Sequence, residues 1–150
     1  MFAVLLFSLV VFTAGAAARC PLGFVNLGRS CYLFASTTVD FAGANSFCQF
    51  FGSRLVTISS SHEDHLIRSY LLRHGKGATY YIGGTDLRGE GIFTWERPHG
   101  KKLGYTGWKH GEPNNAKGHE HCMSMPASFH YRWNDVPCSR RYRFICERAH

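Results

Sequence analysis

The segment Glu112-Pro113-Asn114, followed by Glu120 and closed by Trp133-Asn134-Asp135, decides how this chain reads. Within about two dozen residues it holds three carboxylates (Glu112, Glu120, Asp135) and two carboxamides (Asn114, Asn134). All five are oxygen donors, and none suits a soft metal. Hard cations such as calcium take six to eight oxygens from carboxylates, amide carbonyls and water. A carboxamide can also turn its oxygen to an ion and still offer its NH2 to something else. An ion ringed by such acceptors and donors suits a ligand whose hydroxyls both donate and accept, as a vicinal sugar diol does.

Working outward, the residues around this segment form an α+β pattern. From Pro98 to His119 the chain is rich in Gly, Pro, Asn and Lys, which reads as a long loop of the kind that carries function. Upstream, Phe24–Leu27 and Cys31–Phe34 read as short strands around the turn Gly28-Arg29-Ser30. Between Val39 and Phe51, apolar Phe41, Ala44, Phe47, Cys48 and Phe51 recur at helical spacing, and Gly52 ends the run. Ser60 with Glu63 three residues on forms a capping box, opening a second helix with Leu66, Ile67, Tyr70 and Leu71 on its apolar face and Gly75 at its end. Short strand signals follow at Thr79–Ile82, Ile92–Trp95, Cys122–Met125, Tyr131–Trp133 and Tyr142–Cys146.

The N-terminal end has a different character. Met1 to Val11 is almost wholly apolar, and Ala14 to Ala18 supplies small residues for cleavage, so residues 1–18 read as a secretory signal peptide and 19–150 as one domain. The apolar run is shorter than the ~20 residues a membrane span needs, and no second one follows. Six cysteines remain: Cys20, Cys31, Cys48, Cys122, Cys138 and Cys146. An even number behind a signal peptide implies three disulfides in an extracellular, oxidising setting. Spacing alone does not choose their pairing. The net charge is +7, from 17 Lys+Arg against 10 Asp+Glu, with modest clusters at Lys101-Lys102 and Arg140–Arg143. Such a surface solubilises the protein and favours anionic partners. The chain shows no nucleic-acid-binding motif.

Taken in order, Cys20-Pro21-x-Gly23-Phe24, Tyr81-Ile82-Gly83-Gly84, Glu112-Pro113-Asn114, Glu120-x-Cys122, Trp133-Asn134-Asp135 and Phe144-Ile145-Cys146-Glu147 resemble the C-type lectin domain over essentially the whole of residues 20–147. The resemblance implies the C-type lectin fold, with two helices packed on small antiparallel sheets and a long calcium-binding loop region. It implies disulfides Cys20–Cys31, Cys48–Cys146 and Cys122–Cys138, and a cis bond before Pro113. It also implies a calcium ion held by Glu112, Asn114, Glu120, Asn134 and Asp135, the same residues that would contact sugar. In that family Glu-Pro-Asn accompanies mannose-type ligands and Gln-Pro-Asp galactose. The expected ligands are therefore mannose-type glycans on microbial or cell surfaces, in a role of innate recognition. A single shallow site would need multivalency, and paired cysteines leave only a noncovalent homo-oligomer to provide it.

Three secondary readings accompany this one. Asp86, Glu90 and Asn115 match a second calcium position found in many relatives, where His121 stands in place of a frequent Asp. His119 and His121 flank Glu120, so mild acid would set positive charge beside the primary ion and favour release. Trp95, Trp108 and Trp133 read as core, leaving Tyr131 and Pro126–His130 as candidates for contacts beyond the first sugar. The run His119-Glu120-His121-Cys122 suggests zinc only if Cys122 is not in a disulfide. No nucleophile–base arrangement is visible, and glutamates committed to calcium are poor proton donors, which argues against an enzyme. The remaining rival is a protein-binding or biomineral-matrix member of the same fold.

Overall fold

The computed structural model describes residues 20–97 and 99–149; the leader expected at 1–18 lies outside them. Two helices and a branched sheet make up the domain. Strands β1 (Val25–Leu27) and β2 (Ser30–Phe34) form an antiparallel hairpin, and β2 pairs with β9 (Arg143–Ala149) from the far end of the chain. The short β3 (Arg54–Leu55) also pairs with β9. Strand β4 (Thr79–Thr85) joins β9 in the one parallel pairing of named strands among the described residues, and pairs with β5 (Thr94–Trp95) and β7 (Cys122–Pro126), while β6 (Lys101–Lys102) pairs with β5 at the edge. Strand β8 (Asn134–Val136) pairs with β7.

Helix α1 (Phe41–Phe50) buries Phe41, Ala44 and Cys48, the face expected from the periodicity. It is shorter than the expected 39–51 because Val39 is taken by a bridge to Tyr142 and Asp40 caps the helix, accepting from the Gly43 N–H at 2.8 Å. Helix α2 (Ser61–His74) starts at the expected cap, where Ser60 Oγ accepts from the Glu63 N–H at 3.2 Å. The reciprocal half of the box lies one residue upstream: the Glu63 carboxylate accepts from the Ser59 N–H at 2.8 Å. It also takes the Tyr32 hydroxyl at 2.8 Å, fastening the helix start to β2.

All six cysteines are paired as the resemblance implied, Cys20–Cys31, Cys48–Cys146 and Cys122–Cys138. The Cys48–Cys146 bridge joins α1 to β9 across 98 residues, a closure worth about 4 to 5 kcal/mol in the chain-entropy model. Strand β4 crosses the centre with glycine at a point of close approach: a Cβ on Gly83 would lie 2.8 Å from the Leu55 carbonyl oxygen.

Two expectations fail in the same place. Tyr131-Arg132-Trp133 is not a strand; Tyr131 turns with φ +59°, and only Trp133 makes a bridge, to Trp108. Nor is Tyr131 available to a ligand. It is 4 % exposed, packed near Tyr80 and over Gly75, where any Cβ would collide with its ring. Gly75 is thus kept by packing, since its own φ of −74° is ordinary.

The core contains a carboxylate that periodicity hides. Asp64, in the first turn of α2, is 3 % exposed. Its Oδ1 accepts from the Trp133 indole N–H at 2.8 Å, and its Oδ2 from the Tyr105 hydroxyl at 3.2 Å. Burial pushes its pKa up, against the two donors and the nearby Arg68 and Arg132, which favour the charged form. Asp64→Ala strands a buried indole donor and should cost about 2–4 kcal/mol. Asp64→Asn keeps an acceptor and removes the buried charge, so its cost should be less than half of that. Urea denaturation followed by tryptophan fluorescence compares the two, and equal losses would show that charge, not the hydrogen bond, is what matters.

Candidate metal centre

Trp133 sets the position of the long loop. Its N–H donates to the Gly107 carbonyl at 2.9 Å, and its own carbonyl accepts from the Lys109 N–H at 3.0 Å. The loop therefore runs beside the residue that precedes Asn134 and Asp135, and delivers Glu112 to the same place. The Glu112–Pro113 bond is cis. Beyond it, Asp135 grips the loop backbone with both oxygens: Oδ1 accepts from the Asn114 N–H at 3.1 Å and Oδ2 from the Asn115 N–H at 2.7 Å. Asp135 itself is fully buried in β8.

The other side chains close around this anchor. The Asn114 NH2 donates to Glu112 Oε1 at 3.3 Å. A short 3-10 turn, Ala116–Gly118, brings the chain back, and the Ala116 N–H donates to Glu120 Oε1 at 2.8 Å and to Asn114 Oδ1 at 3.2 Å. The Glu120 N–H donates to Asn115 Oδ1 at 3.0 Å. Glu120 stands just ahead of β7, whose pairing with β8 is backed by the Cys122–Cys138 bridge. Asn134, half-buried, is the first residue of β8. The structure thus gathers Glu112, Asn114, Glu120 and Asp135 into one hydrogen-bonded group with Asn134 adjoining it in sequence.

Charge is unbalanced here. Among the described residues no Lys, Arg or His forms an ion pair with Glu112, Glu120 or Asp135, although the chain carries a net +7. Glu112 Oε2 is buried with no hydrogen-bond donor among the described residues. Burial, then the adjacent Asp135 and Glu120 charges, raise the Glu112 pKa from 4.5 to about 7. Burial also raises Glu120, an effect the Ala116 N–H opposes. Crowded carboxylates with a donorless oxygen and nearby amide carbonyls fit a hard divalent cation.

The neighbouring group has a different composition from the expected one. Asp86 and Glu90 come together with His121, whose Nδ1 lies 2.9 Å from Asp86 Oδ1 and 3.4 Å from Glu90 Oε2. Asn115 meets Glu90 through its NH2, at 2.5 Å. His121 is therefore held on these two carboxylates, while His119 is exposed. Trp95 and Trp133 are core as expected, and Trp108 is partly buried against Phe93, with ring centroids 5.0 Å apart.

Residues 37–148 match the family model for the lectin C-type domain. The chain belongs to the C-type lectin domain family. It is 41% identical to perlucin of Haliotis laevigata over 130 residues, covering 86% of this chain and 83% of perlucin. The carbohydrate-recognition domain of the mouse scavenger receptor C-type lectin superposes with a TM-score of 0.77 at 31% identity, covering 87% of this chain and 97% of that one. A protein described as a calcium-independent type II antifreeze protein superposes equally well, with a TM-score of 0.77 at 27% identity over 90% of this chain and 98% of its own. Proteins of this fold thus include one described as calcium-independent.

The raised Glu112 pKa has a sign that can be measured without any metal. Its proton is held more tightly in the folded domain than in the unfolded chain, so it lowers stability as pH rises from about 4.5 toward about 7. With chelator present, the melting temperature of Glu112→Gln relative to the parent should rise across that window. A constant difference would show that Glu112 is not crowded as described.

Proposed function

We propose that this C-type lectin domain is a secreted, calcium-dependent lectin for mannose-type sugars on microbial or cell-surface glycans. One observation carries the reading: among the described residues, Glu112, Glu120 and Asp135 converge without a basic partner, and Glu112 Oε2 is buried with no donor. The five residues Glu112, Asn114, Glu120, Asn134 and Asp135 would hold the ion. Calcium, when bound, supplies coordination positions that two sugar hydroxyls can share. The chain's own residues do the discriminating. Glu112 and Glu120 accept the hydroxyl protons, and the NH2 groups of Asn114 and Asn134 donate to the hydroxyl oxygens. Asp135 works through the backbone, holding the loop so that Glu112 and Asn114 face one point.

Secretion is supported by the apolar leader sequence and by three disulfides, which persist in oxidising compartments. Among the described residues, no helix is long and apolar enough to cross a membrane. A noncovalent homo-oligomer would supply the avidity that one site lacks. The second reading is an interaction or mineral-matrix role. The calcium-independent relative in fold favours it, as do the exposed Lys101 and Lys102 of the edge strand β6.

Passage of the oxidised protein over mannan and galactose resins in calcium separates the two. Retention on mannan that a chelator reverses is the expected outcome. Glu112→Gln combined with Asn114→Asp should weaken mannan retention at least tenfold and move it toward galactose. Retention on neither resin, with calcium bound, would favour the interaction role and turn attention to β6.

A further inference from the structure

Outside the five residues of the proposed sugar site, Asp86, Glu90 and His121 bring three metal-ligating atoms within 4.8 Å of one another. Asp86 follows the end of β4, Glu90 lies in the same turn, and His121 immediately precedes β7. The His121 nitrogen stands 2.9 Å and 3.4 Å from the two carboxylates. A tetrahedral ion with bonds of ~2.0–2.1 Å sets its ligands ~3.3 Å apart. The two imidazole–carboxylate distances are close to that spacing, and the carboxylates lie within 4.8 Å of each other.

The need for a cation follows from burial. The Asp86 side chain is 1% exposed, and among the described residues no Lys or Arg pairs with it or with Glu90. A buried carboxylate without a compensating charge is costly. Besides the imidazole, its contact among the described residues is with backbone: the Gly91 N–H donates to Oδ2 at 2.9 Å. The two segments are also held in register, since the Asp86 N–H donates to the His121 carbonyl at 3.2 Å and Cys122 is bridged to Cys138. The ligands therefore sit on a frame that is already assembled.

The class of ion follows from Asn115. Its carbonyl oxygen accepts from the Glu120 N–H at 3.0 Å, so what it turns toward Glu90 is an NH2 donor, not a lone pair. Of the three oxygen ligands expected there, two remain, and an imidazole nitrogen takes the third place. Calcium seeks six to eight oxygens, whereas zinc takes imidazole nitrogen and carboxylate oxygen in a set of four. We propose that Asp86, Glu90 and His121 bind a zinc-class divalent cation in preference to calcium, with a fourth position open to water or to a donor from a ligand. Binding through Nδ1 requires that nitrogen's proton to move to Nε2 or to solvent. This goes beyond the proposed sugar site and does not depend on it.

The test uses tag-free, oxidised protein carrying Glu112→Gln and Asn114→Ala, which disable the first site. Zinc alone is titrated by calorimetry and in competition with a chromogenic chelator, with and without millimolar calcium. One zinc per chain is expected, not displaced by calcium, and weakened at least tenfold by His121→Gln and by Asp86→Asn. His121→Asp should reverse the preference toward calcium, and His119→Gln should change nothing. Glu90→Gln, on an exposed side chain, gives the same loss if either of the more buried changes lowers the melting temperature. No bound zinc, zinc displaced by calcium, or affinity indifferent to His121 and Glu90 would each overturn the proposal.

Discussion

A hydrogen bond from the Trp133 indole to the buried carboxylate of Asp64 is the constraint on which the rest of the domain is arranged. It ties helix α2 to the start of β8 inside the core. The indole packs edge-on against Trp95, Tyr105 and Trp108, with centroids 5.6 to 5.8 Å apart. The backbone of the same residue holds Gly107 and Lys109. A loop with little periodicity of its own is thus laid against a residue whose side chain cannot move. The next two residues in the chain belong to the site.

The site is electrostatically unfavourable by itself. Desolvated like charges raise one another's pKa, and here Glu112 has no donor on one oxygen. Asp135 instead accepts two backbone N–H groups. The loop therefore keeps its course through Asp135, while Glu112 and Glu120 remain as acceptors. One carboxylate gives the loop its shape and two stay available as acceptors, a division of labour between residues of the same type. The fold alone does not require calcium, since a neighbour of the same architecture is described as calcium-independent.

Much of this was legible in the sequence where a local rule applied. The α1 face, the Ser60 cap and the first hairpin follow from spacing and turn chemistry, and the disulfide pairing from resemblance. What was hidden depended on contacts between distant segments. Asp64 occupies a first-turn position where an acidic residue is ordinarily exposed and stabilises the helix dipole, and nothing local marks it as Trp133's acceptor. Tyr131 sits in a β-like run, yet Gly75 offers a space over which its ring folds. His121 adjoins Glu120 in the chain, but the two side chains on successive residues diverge, and the imidazole goes to Asp86. The donor set of the second group depends on which end of the Asn115 amide faces Glu90, a choice made by the Glu120 backbone.

The disulfide connectivity has a mechanical consequence. Tension applied between the two ends of the folded domain enters near Cys20, crosses to Cys31, runs to Cys48, and crosses again to Cys146. Residues 49–145 hang from that path as a closed side loop. They include β4, the long loop, β7 and β8. A domain pulled from both ends would transmit the load through covalent bonds and two short segments. The segment that carries the candidate site would bear none of it along its backbone.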